Sequence, residues 1–221
     1  MDIGYYDFVR NDNVIIDIYR DIARLEVGAL STHGLPHIKH VVKNVERLCD
    51  ALSIHKERAE EIKVAAMLHD VGYVIGITDG TNFKKNDHAI RSAKFARTYL
   101  EEMGVAKRSV DPIVIAIENH SEGEEHGTDY GRILTFADKV DIIKTRHFEL
   151  GKTIPGFKEY YHINEMNFTI DDNVLVLNYG VTREINLEAL KEYYFTKKLY
   201  RATSNLATHF GLDYVINFTA K

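Results

Sequence analysis

The chain has one cysteine in 221 residues, Cys49. No intramolecular disulfide framework and no cysteine-rich zinc site can form, and a single thiol suits a reducing compartment. Cys49 falls in an apolar helical stripe, where it counts as a small buried hydrophobe. Excess positive charge is lacking too: 28 Lys and Arg stand against 33 Asp and Glu, a formal net charge of -5. Wholesale phosphate neutralisation on an extended nucleic-acid surface needs the opposite balance, so only a local basic pocket is left open. No apolar run is long enough to cross a bilayer, and Met1-Asp2-Ile3-Gly4-Tyr5 has neither a basic nor an apolar leader region, so a cytoplasmic location without membrane contact is expected. Internal repeats, low-complexity tracts and linkers are missing. What is there is ordinary for a globular domain, with 45% hydrophobic and 28% charged residues, enough to build a core.

Apolar spacing is mostly helical. Ile15, Ile18, Ile22 and Leu25 predict a packing helix over 14–30 behind the polar Asn11-Asp12-Asn13. Ser31 to Leu35 reads as a loop, and Pro36 suits the first turn of a helix carrying Ile38, Val41, Val42, Val45, Leu48, Cys49 and Leu52. His37 sits in that first turn. A second helix over 57–72 places His69 on the face of Ile62, with Gly72 as its stop and a loop over 73–85. The next, capped by Asn86 or Asp87 and closed by Gly104, begins with His88. Asp111-Pro112 reads as the start of a helix that carries His120 two turns along its apolar face, and a further helix through Ile133, Leu134, Ala137, Val140 and Asp141 holds Asp138.

Beyond residue 151 the texture changes. Phe168-Thr169-Ile170 and Val174 to Leu177 flank Asp171-Asp172-Asn173 as a β-hairpin, and a long helix is predicted from Asn186 to about Phe210. The expected organisation is a helical domain over 1–150 with an appended hairpin and helix over 151–221 on the same core, and the aromatic final helix is a candidate homodimer surface.

The chemistry-bearing residues collect into one set. The stretch Ala65-Ala66-Met67-Leu68-His69-Asp70-Val71-Gly72 ends a helix in adjacent imidazole and carboxylate, and His37, His88, His120 and Asp138 each add one donor from a separate helix. Imidazole with carboxylate suits iron, manganese, zinc, cobalt or nickel, while calcium prefers more oxygen and no histidine. One or two such divalent ions are expected, with magnesium as a substitute. A carboxylate can bridge two cations, which makes Asp70 the natural shared ligand. Paired ions would lower the pKa of a bridging water and clamp the attacking and leaving oxygens of a displacement. For His33, His55, His126, His147, His162 and His209 an ordinary loop or surface role is the reading.

The order His37, His69-Asp70, Asp138, with the flanking Leu35-Pro36-His37-Ile38-Lys39-His40-Val41 and Phe136-Ala137-Asp138-Lys139-Val140-Asp141, resembles the HD-domain superfamily of metal-dependent phosphohydrolases over about residues 31–146. The resemblance implies an all-α HD-domain bundle, a first metal on His37, His69, Asp70 and Asp138, and a second on bridging Asp70 with His88 and His120. Where many members have Arg three residues after the first histidine, this chain has His40. Asn119-His120-Ser121-Glu122-Gly123 and the lack of a Gly-Tyr-Pro segment set it apart from the cyclic-dinucleotide phosphodiesterases.

Hydrolysis of a nucleotide or other small phosphorylated metabolite is the leading expectation. Lys84, Lys85, Arg91, Lys139, Lys144 and Arg146 are the available cations, of which Lys139 and Lys84 are chosen to face the phosphate, and Glu122 is a candidate base. A mixed-valent di-iron oxygenase of the same superfamily and a metal-stabilised sensor or interaction module are the alternatives.

Overall fold

The computed structural model describes residues 4–25, 28–78, 88–121, 128–146 and 148–221. The helices are α1 (Tyr5–Asn11), α2 (Asn13–Ala23), α3 (Leu35–Ala51), α4 (Lys56–Leu68), α5 (Gly72–Thr78), α6 (His88–Glu102), α7 (Lys107–Asn119) and α8 (Asp129–Lys139), followed by β1 (Ile163–Asp171), β2 (Val174–Val181), α9 (Leu187–Glu192), α10 (Tyr194–Phe210) and β3 (Asp213–Ala220). The architecture is a helical bundle with a small sheet, and none of the helices described is long and apolar enough to cross a membrane.

The helix expected over 14–30 is shorter, and a helix not foreseen precedes it. Asp12 separates the two: its backbone N–H closes α1 on the Val9 carbonyl while its carboxylate accepts from the Val14 N–H at 2.8 Å and caps α2. After Ala23 the chain reforms as a 3₁₀ turn over Gly28–His33, inside the stretch read as a loop. Helix α3 follows expectation, with Pro36 in the first turn and Ile38, Val41, Val45 and Leu48 buried. Helix α7 starts four residues before the expected Asp111, because the Asp111 carboxylate binds Arg97 at 2.8 Å and Lys107 at 3.2 Å instead of capping.

Gly72 does not stop a helix. It opens α5, where a loop was expected, and lies so close to α6 that a Cβ on it would sit 2.2 Å from the His88 carbonyl oxygen. Its N–H donates to Ser92 Oγ at 2.9 Å, and its own carbonyl accepts from Arg91 Nε at 3.0 Å. That contact sets where α6 begins and therefore where His88 stands.

In the C-terminal part, β1 and β2 pair antiparallel through the two-residue turn Asp172-Asn173, with Asp171 opposite Val174. Both turn residues have positive φ, 46° and 62°, the primed geometry whose twist matches the strands. The long helix expected from Asn186 is broken at Tyr193, which is extended and packs its Cβ against Gly156 and its ring against Phe157. A third strand, not foreseen, follows α10: β3 runs parallel to β2 from Val174 opposite Asp213 to Val181 opposite Ala220. These parts share one hydrophobic core with the helices. The Phe168 ring meets Phe136 of α8 at 5.5 Å, Tyr179 donates to the Val140 carbonyl at 3.0 Å, and α10 packs along α8.

Candidate metal centre

Helices α4, α7 and α8 end where α3 and α6 begin, and the six expected donors, His37, His69, Asp70, His88, His120 and Asp138, are all buried at that junction. The last carbonyls of a helix have no intrahelical partner. Two of them orient ligands: His69 Nδ1 donates to the Ala66 carbonyl at 2.8 Å and His120 Nδ1 to the Ile117 carbonyl at 2.6 Å. His37 Nδ1 is held by Asp141 Oδ2 at 2.7 Å. Each bond leaves Nε2 as the inward lone pair, the arrangement by which an outer partner fixes a metal-binding tautomer.

The inward atoms form two groups divided by Asp70. Its Oδ2 is 3.2 Å from His69 Nε2 and 3.5 Å from His37 Nε2, with Asp138 Oδ1 3.2 Å from His37 Nε2. Its Oδ1 is 3.6 Å from His88 Nε2 and 3.5 Å from His120 Nε2, and those two nitrogens are 3.3 Å apart. With metal–nitrogen bonds of about 2.0–2.1 Å, neighbouring donors of a tetrahedral ion lie about 3.3 Å apart, so both groups have the span of a coordination shell. His69 Nε2 and Asp70 Oδ2 are buried with no hydrogen-bond partner among the described residues. A bare imidazole lone pair facing a bare carboxylate oxygen is repulsive unless a cation lies between them. The residues fit one or two divalent ions.

The electrostatics agree. Burial alone would raise the Asp70 carboxyl, but His69 and the other surrounding imidazoles hold it well below the usual carboxylate range, and Lys139 does the same for Asp138. Burial pushes His120 down, which favours the neutral ring that a metal needs. For His37, burial and Arg146 oppose the charged form, yet the Asp138, Asp141 and Asp70 carboxylates carry it up to about 9. Loss of that proton accompanies any ligation through Nε2.

Among the other expected residues, Lys139 Nζ bonds Asp138 Oδ2 and lines the cavity over the cluster. Lys84 and Glu122 lie outside the described residues, as do Lys85, His126 and His147. Lys144 points to Asn164 and Arg91 to the Gly72 carbonyl, so neither lines the cavity. His162 and His209 bond Thr182 and Asp129, away from it.

His33 departs from its reading as an ordinary loop histidine. It is buried at the cavity with its ring 4.5 Å from Tyr73 and its Nε2 3.1 Å from Arg146 Nη2, and burial followed by the Arg146 charge keeps its pKa well below the ordinary value. A short polar segment gives no periodicity from which such burial could be read. Asp141, assigned only to a helix outline, binds both His37 and His40; its three-residue spacing from Asp138 was the available signal. Its carboxyl sits at about 2, burial being outweighed by those two hydrogen bonds. Asp141→Asn is expected to weaken binding at the His37 group about 10–100-fold, the usual cost of losing an outer partner, with the His88–His120 group unaffected; competition with a fluorescent chelator reads both. Tyr73, stacked on His88 at 4.3 Å, and Tyr194, Phe195 and Lys198 of α10 complete the cavity.

A family model described as HD domain matches residues 34–143. The chain belongs to the HD-domain superfamily. The HD domain begins just before α3 and ends after α8, so it holds all six donors and Asp141, whereas His33, Arg146 and the α10 residues come from outside it. Among solved structures, a predicted HD superfamily hydrolase from an uncultured Thermotogales bacterium is similar at 24% identity, covering 59% of this chain and 67% of its own, with a TM-score of 0.46. None of the curated proteins matches.

Proposed function

We propose that this HD-domain protein is a metal-dependent phosphohydrolase acting on a nucleotide or another small phosphorylated metabolite. HD-superfamily membership and a buried His/Asp cluster able to hold metal support a metal-dependent hydrolase. The observation that carries the finer reading is the cavity itself: Lys139, Arg146 and Lys198 line the same space as Asp70, His88, His120 and Asp138, so cationic side chains surround the ground above an acidic, imidazole-rich floor. An anionic ligand matches that wall. Bound divalent ions would supply an activated water and offset charge gathering on the phosphoryl oxygens.

The chain's own residues have separate tasks. Asp141 and the Ala66 and Ile117 carbonyls hold three imidazoles in the ligating tautomer. Arg146 Nη1 lies 2.8 Å from His37 Nε2 and 3.9 Å from Asp138 Oδ1, a place from which a planar guanidinium can turn to two phosphoryl oxygens. The same donors would also accept two irons in a dioxygen-activating site; the cationic lining is what favours phosphate.

The test is phosphate release from a panel of phosphomonoesters and nucleotides by protein loaded in turn with manganese, cobalt, nickel, zinc, iron and magnesium. Metal-dependent release, lost on chelation and restored by the ion under anaerobic conditions, is expected. A fully metallated protein inert to the whole panel would overturn the reading.

A further inference from the structure

The cavity over the metal cluster is one space that runs from Asp70, His88, His120 and Asp138 to an aromatic wall. A phosphoryl group placed among the donors and cations leaves the rest of its ester against that wall. The wall comes from outside the HD domain: Tyr194 and Phe195 on α10, together with Phe157 and Tyr160. Phe157 and Tyr160 are buried and packed at 5.0 Å, whereas the Tyr194 ring is 48% exposed and lies 4.8 Å from Phe195. A half-exposed ring against the part-buried Phe195, lining a polar cavity, is a surface that another ring would cover.

Lys198 ties this wall to the site. Its ammonium donates to the Ser121 carbonyl at 2.9 Å, in the residue after the donor His120, and stands 4.6 Å from the Tyr194 ring and 5.7 Å from that of Phe195. A cation at that distance is attracted to the ring faces, so the buried Lys198 holds the rings over the cavity mouth while adding positive charge to its lining.

We infer that Tyr194, seated on Phe195 and positioned by Lys198, is a specificity-determining residue that selects phosphate esters whose alcohol part carries a planar aromatic ring. The inference rests on the phosphohydrolase reading and narrows its substrate class. The phosphoryl group occupies the cationic part of the cavity; the ring of the ester stacks on Tyr194. Sugar phosphates and short aliphatic esters fill only the inner part.

Binding of phenylphosphonate and methylphosphonate to the manganese-loaded full chain, measured by calorimetry, tests this without turnover. Wild type is expected to bind phenylphosphonate about tenfold more tightly, within the range measured for ring stacking on an aromatic side chain. Tyr194→Ala should lose most of that preference with methylphosphonate affinity unchanged, and Tyr194→Phe should keep it. The Tyr194 side chain is half exposed, so truncation leaves the core intact. Equal binding of the two phosphonates by wild type, or a preference that survives Tyr194→Ala, would overturn this inference alone. Binding of neither phosphonate would overturn the phosphohydrolase reading together with it.

Discussion

Asp70→Asn is expected to abolish metal binding at the cluster and to lower kcat/KM on the order of 10³-fold or more, beyond the roughly 10–100-fold cost of removing an outer partner. The reason is the division of the Asp70 carboxylate, with Oδ2 among His37 and His69 and Oδ1 between His88 and His120. An amide keeps the shape, loses the charge, and turns a donor N–H₂ toward one of the two groups. Either group would then face an N–H where it needs a lone pair. His88→Ala, by contrast, touches only one group and should leave one ion in place. Elemental analysis of both variants, with circular dichroism to show that each is folded, separates them. Two ions retained in Asp70→Asn would mean that Asp70 is not shared.

Gly72→Ala is expected to destabilise the protein by about 3 kcal/mol, the upper end of what overpacking costs, and to lower Tm by about 6–12 °C for a chain of this size. The new methyl would meet the His88 carbonyl oxygen at 2.2 Å and Ser92 N and Oγ at 2.8 Å. Backbone atoms cannot rotate aside, so α5 and α6 must separate. Parting them stretches the bonds from Gly72 N–H to Ser92 and from Arg91 to the Gly72 carbonyl, and it moves His88 off the ring of Tyr73. Weaker metal retention by the His88–His120 group should therefore accompany the lower Tm. Thermal unfolding with and without manganese measures both effects. An unchanged Tm would show that the contact between the helices is looser than 2.2 Å implies.

Those two positions mark what was legible in the sequence. The six donors could be gathered because each lies at the edge of a long apolar periodicity, and the helices that carry them, α3, α4, α6, α7 and α8, repeat that period over several turns. Gly72 was visible as a glycine but not for its reason, since a helix stop and a close approach of two backbones leave the same single letter. His33 sits in a segment too short for a period and Asp141 just past the end of α8, and their burial depends on partners more than a hundred residues away, Arg146 and His37. The break at Tyr193 was hidden because its stripe runs on in register through both halves, and what interrupts it is Gly156 and Phe157 pressing from another segment. Strand β3 gave little signal because most of its side chains face solvent; only Ile216 and Phe218 are part-buried, Phe218 against Tyr179.

The meeting of helix ends at the cluster has a consequence for its electric field. Helices α4, α7 and α8 bring their C-termini there, and α3 and α6 their N-termini. Each C-terminus carries roughly half a negative charge and each N-terminus half a positive one, worth about 0.3–1 kcal/mol apiece to a suitable ion. The peptide backbone thus supplies both negative and positive poles within one junction. Even before a side chain is considered, the scaffold is polarised for a cation and for the anion that the cation would meet.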